Sequence, residues 1–211
     1  MRTAPVTRAA LAGFLLLVAI PQTALAHEFT VAFVAPFSGP EAARGARALQ
    51  GFLLATAERD GHAFETSDGH LGGLDSHAVK VDGARGSEFV MARLREIGAR
   101  QGLAFVTGLL PQEEQVAENW SRATRLAVLV DPRRSRVYQE GTRPAADVRM
   151  MNGMSFTAAF QKTRGSAPDA DATLGYVAAR LIDLTVRSLR GDLTQREVIA
   201  AALEGSIGQR W

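Results

Sequence analysis

The fold is decided by residues 29–81, which read FTVAFVAPFSGPEAARGARALQGFLLATAERDGHAFETSDGHLGGLDSHAVKV. The nearly unbroken apolar run at 30–35 predicts a buried strand, and the Pro- and Gly-containing segment 36–40 predicts a turn. The Ala-rich segment 41–60 predicts a helix, and the alternating residues 77–82 predict a second strand at the edge of a sheet. A strand, a loop and a helix in this order indicate the first unit of an α/β fold.

Two further strands are predicted at 103–107 and 126–130, because both segments are almost continuously apolar. Segments with helical spacing of apolar residues separate the strands, and Val90, Leu94 and Ile97 form one such set. We therefore predict a three-layer α/β/α fold with a mostly parallel sheet of about four strands, in the order 2-1-3-4.

The pattern changes after Asp131. Segment 132–152 is rich in Arg, Pro and Gly without periodicity, which predicts an irregular loop, and the rest of the chain is helical. The predicted organisation is a signal peptide at 1–26, a parallel α/β core at 27–131, the irregular loop at 132–152, and C-terminal helices at 153–211 that pack on the same α/β domain.

Residues 1–26 have the features of a cleavable secretory signal. An apolar run at 9–20 is shorter than the roughly 20 residues of a spanning helix. It is followed by Ala24, Leu25 and Ala26, which match the A-x-A cleavage motif. We expect cleavage after Ala26 and a periplasmic mature protein without a membrane span; an uncleaved anchor is the alternative.

Charge and cysteine content exclude several functions. Removing Arg2 and Arg8 with the signal leaves 22 of the 24 Lys and Arg residues against 22 Asp and Glu residues. A mature chain of near-zero net charge gives no indication of nucleic-acid binding. The chain has no Cys, so disulfides, a thiolate nucleophile and a lipid-anchored Cys are all excluded.

Three loops are predicted at the carboxyl edge of the sheet, where open parallel sheets bind ligands. They comprise residues 36–40, 108–112 and 131–135, and the first two lead directly into predicted helices, whose N-termini favour anions. The predicted ligand-binding residues are Ser38, Gly39, Gly108, Gln112, Asp131 and Ser135. The alternative is that the glycines and prolines of these loops only form turns.

The order of these motifs resembles the type I periplasmic solute-binding proteins, the Leu/Ile/Val-binding group that serves amino-acid ABC importers. The resemblance is carried by FVAPFSGP at 33–40, GGLDSH at 72–77, FVTG at 105–108, VDP at 130–132 and LGYVAARL at 174–181. It covers most of residues 29–205 and implies that the four-strand sheet corresponds to lobe one of a two-lobed binding protein.

The chain also departs from this family. Family members are substantially longer, and here the C-terminal helices follow almost directly after the fourth strand, so most or all of lobe two is absent. Asp131 stands where the family usually has Ser, and Ser135 is the matching hydroxyl. Arg133 and Arg134 are additions; adjacent arginines on a loop are usually solvated, and an anion clamp is the alternative.

Sequence signals for enzymatic activity or metal binding are weak or absent. There is no G-x-S-x-G, P-loop or G-x-G-x-x-G motif, so we expect no enzymatic activity and no cofactor. His62, His70 and His77 fit no common metal-ligand spacing and are interpreted as solvated loop residues rather than a metal site. Cleavage after Ala26 would make His27 the N-terminus, where its amine and imidazole suit copper; chance placement is the preferred interpretation.

The resemblance therefore implies a periplasmic protein that binds an amino acid or another small carboxylate. With one lobe, we expect binding to be weak, or to be completed by an ABC permease or a second chain. Two alternatives stay open: an interaction module that docks a partner on the exposed half-cleft, and a copper-handling protein that uses His27.

Overall fold

The computed structural model describes residues 28–59, 66–110, 127–140, 150 and 153–209. The predicted signal peptide and His27 lie outside these ranges. The strands are β1 (Glu28–Ala35), β2 (His70–Leu71), β3 (Leu74–Asp82), β4 (Leu103–Gly108) and β5 (Val128–Leu129). The α-helices are α1 (Ala42–Thr56), α2 (Ser87–Arg100), α3 (Arg136–Glu140), α4 (Phe156–Arg164), α5 (Ala170–Ser188) and α6 (Arg196–Ile207).

The sheet has the order β2-β3-β1-β4-β5, and β1, β3, β4 and β5 are mutually parallel. The four strands predicted from the sequence are β3, β1, β4 and β5, so the predicted order 2-1-3-4 and the α/β fold class are confirmed. The short β2 was not predicted. It pairs antiparallel with the start of β3 through Gly72 and Gly73, whose φ angles of 67° and 90° suit a two-residue hairpin turn.

Strand β1 is buried on both faces, and its alternate side chains enter two separate cores. Phe29, Val31 and Phe33 join the larger core, which is covered by α1 and the C-terminal helices α4, α5 and α6. Ala32 and Val34 join the smaller core, which is covered by α2. The sheet is therefore the middle layer between helices, as expected for a parallel sheet whose strands are continuous apolar runs.

Helices α1 and α5 touch through their backbones. A Cβ atom built on Gly51 would lie 1.8 Å from the carbonyl oxygen of Ala172, and one built on Gly175 would lie 1.8 Å from that of Ala48. Contacts this short leave room only for hydrogen, so glycine is required at both positions. The C-terminal helix α5 is thereby fixed directly against the first helix of the α/β unit.

The segment after β5 is partly helical. Pro132–Arg134 forms a 3-10 turn and α3 follows at Arg136–Glu140, whereas an irregular loop is predicted for 132–152 because that segment lacks periodicity. The turn begins at Asp131 because its carboxylate accepts a hydrogen bond from the backbone N–H of Arg133, and Pro132 stands where a missing N–H is tolerated. Residues 141–149, 151 and 152 lie outside the described ranges.

A buried ionic network lies on α5, near the β2–β3 turn. The Asp183 carboxylate accepts hydrogen bonds from the Gly72 backbone N–H at 2.8 Å, from Arg187 at 2.8 Å and from Arg180 at 3.2 Å. Burial alone would raise the pKa of Asp183, but the hydrogen bonds from Arg187 and Gly72 and the positive charges outweigh it and lower the pKa. The ionised carboxylate thus ties the hairpin turn to α5.

None of the helices in the described ranges has the length and hydropathy needed to span a bilayer.

Candidate functional site

An open cleft of about 1010 Å³ lies at the carboxyl edge of the sheet. Its lining includes residues from the loops that follow all four parallel strands: 36–40 after β1, 83–87 after β3, 108–110 after β4, and 132–133 after β5. Parallel strands present their carboxyl ends on the same side, and helices placed on both faces leave the loops between them open. The cleft therefore lies at the edge where ligands bind in open α/β sheets.

The predicted ligand residues are only partly brought together. Ser38, Gly39 and Gly108 line the cleft, whereas Asp131 and Ser135 are not among its lining residues. Ser135 is fully buried, and its hydroxyl has no hydrogen-bond partner within the described part of the chain. Gln112 lies outside the described residues. The assignment of these six residues to a ligand stays a prediction.

The cleft walls are mainly apolar. They include Val34 at the end of β1, Val90 from α2, Leu174 from α5, Tyr138 from α3, and Leu109 and Leu110 after β4. Polar side chains also line the cleft and come mainly from loops and the first turns of helices, as Ser38, Arg44 and Asp171 do. Such a lining favours a small ligand with an apolar body and one or two polar groups.

Asp82, at the end of β3, organises the loop after β1. Its carboxylate accepts hydrogen bonds from the backbone N–H groups of Phe37, at 2.8 Å, and Ala84, at 3.1 Å. The hydrogen bond that the Ser38 hydroxyl donates to Asp82 is the main reason why the pKa of this carboxyl is lowered. Because a hydroxyl has one proton, the Ser38 oxygen can act only as an acceptor toward a ligand in the cleft. Ser38 is thus better suited to a ligand N–H than to a carboxylate.

Gly108 brings β4 close to β1 at the floor of the cleft. Its φ angle is 126°, and a Cβ atom on it would lie 2.0 Å from the carbonyl oxygen of Val34. Any side chain here would therefore strain the backbone and collide with the neighbouring strand. The glycine predicted from the sequence has a structural requirement that is independent of ligand binding.

Arg133 bridges the loops that follow β4 and β5. Its Nε and Nη2 atoms donate to the two oxygens of Asp131 at 2.8 and 3.1 Å, and its Nη1 donates to the Leu110 carbonyl oxygen at 3.3 Å. Arg133 lines the cleft, while its neighbour Arg134 forms a two-point ion pair with Glu204 of α6. The two adjacent arginines therefore have different roles, which their sequence context does not distinguish.

A second ionic group lies at the entrance, where Arg44 of α1 contacts two carboxylates. The Arg44 guanidinium donates to both oxygens of Asp171, at 2.9 and 3.2 Å, and to Glu41 at 2.7 Å. The hydrogen bonds that Arg44 donates to Asp171 and, to a smaller extent, to Glu41 raise the pKa of Arg44. Two negative charges against one positive charge leave this side of the cleft net negative.

The N-terminus of α2 also faces the cleft, through Gly86 and Ser87. No described side chain caps this end, and Gly86 at the N-cap has a φ angle of 89°. The uncapped N–H groups carry a partial positive charge, which the carboxylate of Glu88 in the first turn partly offsets.

The two described histidines, His70 and His77, lie toward the other end of the sheet. His70 pairs with Asp75 at 2.9 Å at the start of β3, and His77 pairs with Glu28 at 3.1 Å at the start of β1. Within the described ranges no group of three or more His, Asp or Glu residues is arranged to hold a metal ion. His62 and His27 lie outside those ranges, so the copper hypothesis stays a prediction.

Comparison with known proteins gives a match in structure but none in sequence. No protein-family model matches the chain, and no curated protein matches it. A solved structure described as an ABC transporter substrate-binding protein from Sphaerobacter thermophilus matches with a TM-score of 0.54 and 12% sequence identity. The match covers 83% of this chain and 85% of that chain, so the two are similar in length.

At this identity the match shows a shared fold. The chain has the mostly parallel α/β architecture of a substrate-binding protein, as predicted. The match does not single out the Leu/Ile/Val-binding group, which stays a prediction. The matched chain is also not substantially longer than this one, although the resemblance implied longer relatives.

Proposed function

We propose that this chain is an exported solute-binding protein whose open cleft holds an amino acid or another small carboxylate. The observation that carries the proposal is the cleft itself, at the carboxyl edge of a parallel sheet, with mainly apolar walls and polar side chains from loops and the first turns of helices. Substrate-binding proteins of ABC importers act on solutes outside the cytoplasm, which agrees with the predicted signal at 1–26. The shared fold with a protein of that name supports the same role.

The open shape predicts weak binding by the isolated chain. Tight sites for small molecules bury 70–90% or more of the ligand surface, and the cleft formed by the described residues is open. A bound solute would keep much of its hydration and would leave quickly. We propose that a second chain, or an ABC permease, covers the open side when the solute is transferred.

Titration of the purified protein with amino acids and small carboxylates, followed by NMR or calorimetry, tests this function. Ala84→Trp fills the cleft from an exposed position in the 83–87 loop, and Ala201→Trp adds the same bulk on the exposed face of α6. We expect the protein and the Ala201→Trp variant to bind the same solutes with equal affinity, and the Ala84→Trp variant to lose binding. Equal binding by both variants would refute the cleft as the site, and no binding of any solute would refute the function.

A further inference from the structure

We infer that Arg133 is the anchor for the anionic group of the solute, and that the solute is a small carboxylate with an apolar body. This inference rests on the proposed function and adds the recognition group to it. It starts from the position of Arg133, which lines the cleft at the carboxyl ends of β4 and β5. Its side chain is 27% exposed, so hydrogen bonds to it are partly shielded from water.

The Arg133 guanidinium is held in place with donors to spare. A guanidinium has five N–H groups. Asp131 accepts from Nε and Nη2, and the Leu110 carbonyl oxygen accepts from Nη1. Within the described part of the chain these contacts use three N–H groups and leave one on each terminal nitrogen. Two N–H groups on one planar group can bind both oxygens of a carboxylate.

The charge distribution favours Arg133 over the other arginine of the described cleft lining. Arg44 is paired with two carboxylates, Glu41 and Asp171, and 57% of its side chain is exposed. An anion beside Arg44 would therefore meet a net negative charge in contact with water. Among the described residues Arg133 has one carboxylate partner, Asp131, so the charge of this described group is balanced and its remaining donors gain more from an anion.

The surroundings of Arg133 define the rest of the solute. Leu109, Leu110 and Tyr138 line the same cleft, and the loop containing Leu110 is hydrogen-bonded to Arg133 itself. A carboxylate bound to Arg133 would place its remaining carbons against these apolar side chains. An aliphatic or aromatic carboxylate fits this arrangement, because the charged end meets Arg133 and the carbon body meets apolar walls.

The competing explanation is that Arg133 only joins the two loops. A purely structural arginine would affect the binding of neutral and anionic solutes equally when it is replaced. An anchoring arginine would affect the anionic solute selectively. The ratio of affinities for a carboxylate and its amide therefore separates the two roles, even if a variant is less stable.

The experiment compares benzoate with benzamide, and 4-methylpentanoate with its amide, by NMR titration of the protein and of Arg133→Gln and Arg134→Gln. We expect the protein and Arg134→Gln to prefer each carboxylate over its amide by roughly 10- to 100-fold, as for charge-assisted hydrogen bonds. Arg133→Gln should lose that preference while still binding the amides. If Arg133→Gln keeps the preference, the inference is wrong and the proposed function survives. If no carboxylate binds the protein, the proposed function fails and the inference fails with it.

Discussion

The contact between α1 and α5 predicts that Gly175→Ala destabilises the protein although alanine favours helices. A Cβ atom at Gly175 would lie 1.8 Å from the carbonyl oxygen of Ala48, whereas ordinary contacts begin at 3.4 Å. The two helices would have to separate locally by about 1.6 Å, the difference between these distances. The colliding Ala48 oxygen belongs to the backbone, so no side-chain rotation relieves the collision.

The expected magnitude follows from two opposing effects. Replacing glycine by alanine inside a helix stabilises it by about 1 kcal/mol. Overpacking a well-packed contact costs roughly 1–3 kcal/mol, and a rigid backbone neighbour places this contact at the upper end. We therefore expect Gly175→Ala to lower the free energy of unfolding by about 2 kcal/mol.

The control is Gly205→Ala in α6, where a Cβ atom would meet no atom within 4 Å. This variant makes the same chemical change without the collision and should raise the free energy of unfolding, by about 0.5–1 kcal/mol. Urea unfolding followed by circular dichroism measures both values, and equal m-values would show that stability alone changed. If Gly175→Ala stabilises the protein as Gly205→Ala does, helix α5 does not pack on α1 as described.

Three further results are expected. Asp183→Ala should destabilise the fold by about 3–5 kcal/mol in urea unfolding, because it removes the buried carboxylate that accepts hydrogen bonds from Gly72, Arg180 and Arg187; a loss under 1 kcal/mol would contradict the network. Because the folded-state pKa of Asp183 is lowered, its contribution is present above the unfolded pKa of about 4 and is lost as the pH falls through the folded-state pKa. The stability of the protein should therefore fall from pH 5 to pH 3 more steeply than that of Asp183→Asn, and parallel curves would refute this. Asp82→Ala should lower the free energy of unfolding by about 1–3 kcal/mol, since the Phe37 N–H loses its acceptor. The same variant should bind the solute more weakly; unchanged binding would show that the 36–40 loop is not part of the site.

The parallel sheet was predictable because its strands are encoded locally. Strands β1 and β4 are apolar on both faces, and a run of this kind is typical of a parallel strand covered by helices on both sides. The hairpin strand β2 was missed because two residues carry no periodicity. Its only local signal is the pair Gly72 and Gly73, which precedes the predicted strand at 77–82.

The site was less predictable because its key contacts join residues that are distant in sequence. Asp82 bonds the Phe37 N–H 45 residues earlier, and Arg133 bonds the Leu110 carbonyl oxygen 23 residues earlier. The loops could be placed at one edge from topology alone, but the direction of the Ser38 hydroxyl depends on Asp82. The available signal for the contact between Ser38 and Asp82 was the acidic residue itself, at the carboxyl end of the strand predicted at 77–82.

The most direct test of a solute site at the carboxyl edge is an amide chemical-shift titration of the ¹⁵N-labelled protein with 4-methylpentanoate. We expect saturable amide shifts at Gly39, Gly86 and Gly108, which lie on three different loops of the cleft. Shifts confined to the opposite end of the sheet, around His70 and Asp75, or no shifts at all, would contradict it.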